Sequence, residues 1–550
     1  MADISAHVIS LTQPTQRPLG VLCAEAGVAC PLDAAKLPIG GISADSRRLQ
    51  AGWLFVAIRG MRQNAARFID DAISHGCAAV LCEASDCPPK DVPVPVLTVP
   101  DARVAMAYLF DAWYGHPARH LRLIGVTGTN GKTSTATMLR HILHTAGVPC
   151  GIIGTVGCRL PDGTALSVQP PDDTVHMTTP DPEELYPALA AMAAWGEAHP
   201  TACAKCGKPV VVMEVTSHAL ALGKVEPLHF DISLFTNLTP DHLDLHGDMT
   251  AYAAAKARLF SQTRVGVVNA SDICGRHLAD RPSAGVEKWL MVYPRHTLPL
   301  EDDRCARRED DDRTSGTRCE RIYAEQVSLQ GSDGIAYRLV APTARTRITC
   351  PVPGTFTVEN TLLAAATALD MGISPAVVRS ALASFHGVPG RMERVKLPRL
   401  TPFTVFIDFA HTPDALEHLL MTAQDFRRPG QRIVLLFGCG GVRDATKRPV
   451  MGDLAVRYAD RVVVTSDNSR TEDPDAIIED ILRGIDPAQR AKVEVIRDRT
   501  VAITHVVQTA EAGDIILLAG KGHEEYEIGP NGVKPFCERE IVRRVFGEKL

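Results

Sequence analysis

The stretch Leu121-Arg-Leu-Ile-Gly-Val126, continued by Thr127-Gly-Thr-Asn-Gly-Lys-Thr133 and then by Ser134 to Gly147, decides the reading of this 550-residue chain. Its first six residues form an apolar run ahead of a Gly-rich segment, which predicts a buried strand. From Thr133 to Ala146, Met138, Leu139, Ile142 and Leu143 recur at helical spacing, and Gly147 can close the helix. Between strand and helix, small residues let backbone N–H groups converge on phosphate oxygens at the positive end of the helix. Lys132 can reach terminal phosphates, and the Thr133 hydroxyl is placed for Mg²⁺. The strict phosphate-loop pattern wants Gly where Val126 stands, so this loop is a variant with Gly128 and Asn130 inside it. A plain strand–helix turn is the alternative, but Gly-Lys-Thr opening an amphipathic helix straight after an apolar strand favours nucleotide binding.

Outward from this loop, Val210 to Val215 and Ile232 to Phe235 read as further buried strands. Strands alternating with helices predict a mostly parallel sheet. Upstream, Trp53 to Ile58 and Ala78 to Leu81 alternate with the helix-like Phe68 to His75, and Tyr114-Gly-His-Pro117 reads as a linker. Downstream, Thr404 to Phe409, Ile433 to Phe437, Arg461 to Thr465 and Ile515 to Ala519 read as the strands of another α/β unit. The expected architecture is α/β in three domains: 1–117, a central P-loop domain at 118–388, and a Rossmann-like domain at 389–550. Glu301 to Arg321, dense in acids and arginines, reads as a solvated loop. Cys203 and Cys206 have zinc-ribbon spacing without the second pair that a closed structural site needs.

Composition narrows the function. With 45% hydrophobic and 22% charged residues the chain is a folded globular protein, and a net charge of −6 gives no global pull toward nucleic acid or anionic membrane. The first twenty residues lack a signal-peptide pattern and no apolar run approaches a spanning helix, so no membrane insertion is expected. Fifteen cysteines without a regular framework fit a reducing cytoplasm.

Polar residues gather where open α/β sheets put their sites, at strand ends. Glu214 closes one apolar run and is followed by Thr216 and His218. Asn237, Asp241, His242, Asp244 and His246 crowd a second loop. A carboxylate and an imidazole facing a triphosphate can hold Mg²⁺, which completes its shell with water and phosphate oxygens. Each residue alone also fits a capping role. Lys256, in Tyr252-Ala-Ala-Ala-Lys256, reads by itself as a solvent-facing helix lysine.

These pieces in this order resemble the Mur ligases, ATP-dependent amide-forming enzymes. The carrying motifs are Asp45-Ser-Arg47 with Leu54-Phe-Val-Ala57, Gly128 to Thr133, Met213-Glu-Val-Thr-Ser-His-Ala-Leu220 and Thr236-Asn-Leu-Thr-Pro-Asp-His-Leu-Asp244. Tyr252 to Lys256, Gly387 to Glu393, Asp408 to Asp414, Phe437-Gly-Cys-Gly-Gly441, Lys447-Arg-Pro449 and Gly520-Lys-Gly-His-Glu524 continue the series across nearly the whole chain.

The resemblance implies an N-terminal domain for the UDP end of the substrate, a central ATPase and a mobile C-terminal domain, in a cytoplasmic monomer. It implies ATP on Gly128, Thr129, Asn130, Gly131, Lys132, Thr133 and Ser134, with Asn360, Arg391 and Asp408. Mg²⁺ would sit on Thr133, Glu214, His242 and a carbamylated Lys256; Lys132, Glu214, His242 and Lys256 would be catalytic. Ser46, Thr178, Thr179, Thr216 and Lys224 would line UDP-N-acetylmuramoyl-L-Ala-D-Glu, whose glutamyl carboxylate ATP would activate as an acyl phosphate for attack by an amine. For that amine, meso-diaminopimelate is implied by Asp467-Asn468-Ser469-Arg470 with Arg443, Gly520 and Glu524. An arginine fork holds a carboxylate and repels a lysine ammonium. The alternative places Arg470 on the surface, paired with Glu472 or Asp473. Departures stand at Ser469 for proline, Lys224 for arginine, Leu222 for glutamine, Val442 for an acid, and Met61-Arg-Gln63. The rival functions are the same ligase with L-lysine as acceptor, another amide ligase such as a folylpolyglutamate synthase, a P-loop phosphotransferase, and an inactive binding subunit.

Overall fold

A computed structural model describes residues 16–59, 65–86, 92–166, 177–280, 285–294, 318–398 and 400–547, which divide into two compact units. Met61-Arg-Gln63 and residues 301–317 lie outside them.

The first unit contains the N-terminal residues through Val292. After a short pair, β1 (Arg17–Pro18) with β2 (Pro38–Ile39), a parallel four-stranded sheet orders β3 (Ile42–Ser43), β4 (Leu54–Val56), β5 (Ala79–Glu83) and β6 (Val96–Val99). Phe55, Val80 and Cys82 pack its core. The stretch read as a linker is a tied turn. Following the helix Ala102–Trp113, His116 donates its backbone N–H to Asp111 O at 2.8 Å and sets its ring 2.6 Å from the Asp111 carboxylate.

Eight further strands follow: β7 (Arg122–Thr127), β8 (Cys150–Gly154), β9 (Gly157–Arg159), β10 (Ala165–Leu166), β11 (Val210–Glu214), β12 (Phe230–Phe235), β13 (Thr263–Asn269) and β14 (Lys288–Tyr293). Their spatial order is β10-β9-β8-β11-β7-β12-β13-β14, parallel from β8 to β14. The expected strand and helix around the phosphate loop are present, the helix as Lys132–Thr145. A sheet covered on both faces needs apolar residues at every position, which is why these strands read as runs.

The second unit, from Ile322 on, holds most of an antiparallel meander of β15 (Arg318–Leu329, its first four residues in the first unit), β16 (Ile335–Ala341) and β17 (Ala344–Cys350). Residues 318–321, read as the end of a solvated loop, start a strand instead, and Lys288 pairs with Glu320 there at 2.8 Å. The C-terminal sheet comprises β18 (Glu393–Arg394), β19 (Thr404–Asp408), β20 (Ile433–Phe437), β21 (Arg461–Val464), β22 (Val493–Val495) and β23 (Ile515–Ala519), in the order β18-β19-β23-β20-β21-β22, parallel except for β18. Phe406, Leu435 and Leu517 face one core, while Val405, Ile407, Leu436 and Leu518 face the other. A hairpin of β24 (Tyr526–Gly529) and β25 (Gly532–Pro535) completes the unit. No described helix is long and apolar enough to cross a membrane.

Candidate active site

In both units many of the candidate residues, among them Gly128, Glu214, Asp408 and Asp467, lie at or just past the C-terminal ends of parallel strands, where the chain must turn. Gly128, the first residue after β7, has φ 145°, and a Cβ there would stand 1.8 Å from Thr236 Oγ1. Only glycine fits. The loop is held from outside by the segment after β12. Thr129 and Asn130 donate their N–H groups to Asn237 O and Asn237 Oδ1, each at 2.9 Å, and Thr236 Oγ1 donates to Asn130 O at 2.6 Å. Gly131 and Ser134 flank Lys132 and Thr133 at the helix start. Lys132 Nζ folds back to the carbonyls of Gly128 and Thr129, 3.0 and 2.8 Å away.

Glu214, fully buried, ends β11 opposite Val126 of β7. Its Oε2 accepts from Thr133 Oγ1 at 2.7 Å and its Oε1 from the Thr155 backbone N–H at 2.8 Å. A Cβ on Gly154 would stand 2.1 Å from Glu214 Oε1, so the end of β8 makes room for this carboxylate. Thr179 Oγ1 donates to Glu214 O at 2.9 Å and lies 3.2 Å from Thr216 Oγ1, while Thr178 meets Thr155 at 3.1 Å. Lys224 is buried and pairs with Asp181 Oδ1 at 2.7 Å. Ser46 is also buried, and its neighbours Ala44 and Arg48 hold Glu183, at 2.7 Å from Ala44 N and 2.9 Å from Arg48.

Lys256 is buried, not solvent-facing. The helix Met249–Ala257 turns it against the phosphate loop, so its Nζ donates to Gly128 O at 2.7 Å and sits 4.5 Å from the centre of the Tyr252 ring. Burial, reinforced by the Lys132 charge, holds its ammonium well below the usual lysine range. His242 lies at φ 53°, its ring edge-on to His218 at 4.6 Å and to Tyr252 at 6.3 Å.

In the second unit, Asp408 ends β19 and accepts from the N–H groups of Met392 and Ala410 at 2.7 and 2.9 Å. Burial pushes its carboxyl up against the opposing pull of Arg391, whose guanidinium lies 5.1 Å over the Phe409 ring. Asn360 is buried in the helix Thr355–Asp370.

Beyond β21, Asp467, Asn468 and Ser469 are all buried. Burial alone would raise Asp467, but Arg499 and Lys521 outweigh it and hold the carboxyl below its ordinary range. Asn468 Nδ2 donates to Glu524 Oε2 at 2.8 Å, across from the Gly520 turn that ends β23. Arg470 donates through Nη1 to Gly441 O and Asn468 O at 3.0 and 3.3 Å. The alternative partners are engaged elsewhere: Glu472 with buried Arg448 at 2.7 Å, and Asp473 as the cap of the helix Pro474–Arg483, accepting from Asp475 N at 3.1 Å. Arg443 is exposed. Six described non-glycine residues have positive φ, and four of them are His242, Met392 beside Arg391, Val442 beside Arg443, and Arg470. Such strain collects where a backbone is over-determined by function.

The chain that carries this phosphate loop and this second α/β unit matches a known family along most of its length. A model of the Mur ligase middle domain matches residues 126–368, and one of the Mur ligase glutamate ligase domain matches residues 390–522. A protein of Gloeobacter violaceus named UDP-N-acetylmuramoyl-L-alanyl-D-glutamate–2,6-diaminopimelate ligase is 39% identical over 524 residues, covering 94% of this chain and 96% of its own. The chain belongs to the Mur ligases. It is an ATP-dependent amide ligase. A protein of the same name from Syntrophomonas wolfei is 36% identical over 514 residues, covering 93% of this chain and 95% of its own. A solved structure of that title superposes with a TM-score of 0.62 at 27% identity, covering 96% of this chain and 98% of its own.

Thr155, Asp181 and Tyr252 in the first unit, and Lys521 in the second, contact candidate residues of their own unit without having been named as candidates. Each does so through a partner on another element. Tyr252 and Lys521 lie inside motifs that carry the resemblance, and Thr155 left a local signal as the hydroxyl residue directly after the Ile152-Ile-Gly154 strand end.

Proposed function

We propose that this Mur ligase joins the D-glutamyl carboxylate of UDP-N-acetylmuramoyl-L-Ala-D-Glu to an amino group of meso-2,6-diaminopimelate in the cytoplasm, as a monomer, with ATP converted to ADP and phosphate. The N-terminal residues 1–117 would receive the UDP end, 118–388 the ATP, and 389–550 the acceptor. The observation that carries the acceptor is the Asn468–Glu524 hydrogen bond at 2.8 Å beside the Arg470 guanidinium. The arrangement offers a carboxylate to an ammonium and a guanidinium to a carboxylate, the two ends of an amino acid. The names of the relatives in Gloeobacter violaceus and Syntrophomonas wolfei support the same reading.

The glutamyl carboxylate would attack the γ-phosphorus of ATP, giving an acyl phosphate and ADP. The amine would then add to the acyl carbon, and the tetrahedral adduct would expel phosphate while the nitrogen releases a proton. Lys132 would balance charge on the transferring phosphoryl group. Thr133 Oγ1 and Glu214 Oε2, 2.7 Å apart, are hard oxygen donors suited to Mg²⁺, and His242 would be a further ligand. Mg²⁺ would supply charge neutralisation for the phosphates. Lys256 as an ammonium is no ligand. Burial favours its neutral amine, whose nitrogen can add to CO₂ and lose a proton to give a carbamate anion, an oxygen donor.

Phosphate release with ATP, Mg²⁺ and UDP-N-acetylmuramoyl-L-Ala-D-Glu, measured with meso-diaminopimelate or L-lysine, tests the reading. Release driven by diaminopimelate with formation of the tripeptide product is expected. Release driven by lysine alone would replace the acceptor.

A further inference from the structure

Lys521 has no role assigned above, yet its ammonium is enclosed in the acceptor region, with its side chain 0% exposed. It follows β23 and points back beneath the Asp467–Arg470 loop. We propose that Lys521 is a positioning residue that locks the orientation of the Asn468 amide and thereby fixes which hydrogen-bonding face the acceptor amino acid meets. The inference rests on the acceptor reading given under Proposed function.

The argument turns on what each atom can donate or accept. Lys521 Nζ donates to Asn468 Oδ1 and, at 3.0 Å, to Tyr526 O. The backbone N–H of Ile528 donates to the same Asn468 Oδ1 at 2.9 Å. An ammonium and a peptide N–H are donors only, so the atom between them must be the amide oxygen. Turning the amide over would set its NH₂ against two donors and its oxygen against the Glu524 carboxylate, leaving all of these groups mismatched. The Asn468 nitrogen is therefore directed at Glu524 Oε2, 2.8 Å away. That bond uses one of the two N–H groups of Nδ2, and the geometry leaves the second for the acceptor.

The same ammonium lies 3.5 Å from Asp467 Oδ1 and 3.7 Å from Glu524 Oε2. It thus offsets two carboxylates that would otherwise repel across the amide, and the Phe536 ring 5.6 Å away closes its remaining side. Without it, Asn468 would lose its orientation and Glu524 would lose the cation that keeps it turned toward Asn468. Lys521 acts through Asn468 and Glu524 and makes no contact assigned to the acceptor.

The test uses the full chain and the phosphate-release assay, with Lys521→Met, Asn468→Ala and the double variant. Lys521→Met is expected to raise the KM for diaminopimelate at least about tenfold, the loss of one hydrogen bond to a charged group. The KM values for ATP and for the UDP substrate are expected to stay within about twofold, because those sites share no partner with Lys521. In the Asn468→Ala background the same lysine substitution is expected to change the acceptor KM by less than about twofold, since residues acting in series do not add. An equal effect in both backgrounds, or a lowered melting temperature with all three KM values unchanged, overturns the proposal. If Lys521→Met does not fold, Asn468→Asp replaces it. That variant keeps an oxygen toward Lys521 but faces Glu524 with a second anion, so a tenfold rise in acceptor KM at unchanged melting temperature is expected, and an unchanged KM overturns the proposal. A wild-type chain that is silent with diaminopimelate and with lysine overturns the acceptor reading itself, and the inference with it.

Discussion

Removing the Glu538 carboxylate isolates one cation in the driest part of the second unit. Arg499 and Glu538 have side chains 0% and 1% exposed and meet at 2.8 Å, with Arg499 Nε also 2.9 Å from Glu538 Oε1. The guanidinium keeps two carbonyl partners, Ala519 O at 2.8 Å and Ser466 O at 3.3 Å, when Glu538 becomes Ala. Breaking a buried pair from one side costs about 3–5 kcal/mol, because the remaining charge is stranded. Asp467 still attracts Arg499, which places Glu538→Ala near the lower end, about 3 kcal/mol. For a unit of this size that loss corresponds to a fall of roughly 6–12 °C in melting temperature. Replacing both partners by apolar residues, as Arg499→Met with Glu538→Leu, removes the charges together and is expected to be neutral or stabilising by about 1–4 kcal/mol. Urea and thermal unfolding of the full chain measure both variants, and hydrogen exchange on β21 and β23 assigns the transition to this unit. A single-variant loss below about 1 kcal/mol, or a double variant as unstable as the single, would refute the claim that the pair is held by its desolvated charges.

Four other outcomes follow from the geometry. Thr133→Val removes the hydroxyl 2.7 Å from Glu214 Oε2 and is expected to raise the Mg²⁺ concentration needed for half-maximal turnover by roughly 10–100-fold, read from a Mg²⁺ titration. Arg470→Lys replaces a planar fork by a point charge, so the KM for diaminopimelate is expected to rise about tenfold while that for ATP is unchanged in steady-state kinetics. Glu184 is pushed up to about 7 by burial and by Asp181, against the pull of Arg48. Its folded value lies above the unfolded 4.5, so its contribution to stability is present below pH 4.5 and is lost as pH rises toward 7. Glu184→Gln should therefore raise the melting temperature at pH 8 and leave it unchanged at pH 4, as a pH series of melts would reveal. Val442, 60% exposed at φ 54°, holds a β-branched residue in a region it resists, and Val442→Asn is expected to stabilise by about 1 kcal/mol in the same melts.

The parallel strands were legible because burial on both faces leaves no room for polar alternation, as in Ile433–Phe437 and Ile515–Ala519, whose bounds match the apolar runs. The meander β15–β17 was not, since a half-exposed strand such as Ala344–Cys350 alternates arginine and threonine with single apolar residues. The phosphate loop announced itself through local chemistry. Lys256 did not, because its burial comes from packing against residues 128 positions away. Lys224 likewise meets Asp181 only through the fold, which leaves that candidate for the UDP substrate already paired with a carboxylate.

The β24–β25 hairpin is tied to the Asp467–Arg470 loop by two bonds, Ile528 N to Asn468 Oδ1 and Arg470 N to Ile528 O, and to Lys521 by a third, Lys521 Nζ to Tyr526 O. Its own far edge, Gly532 to Pro535, is exposed throughout. That outer strand thus contributes little to the core, yet it is paired with a strand bonded to the loop proposed to meet the incoming amino acid. Under the proposed acceptor reading, this strap is a place to alter substrate preference without touching the pocket.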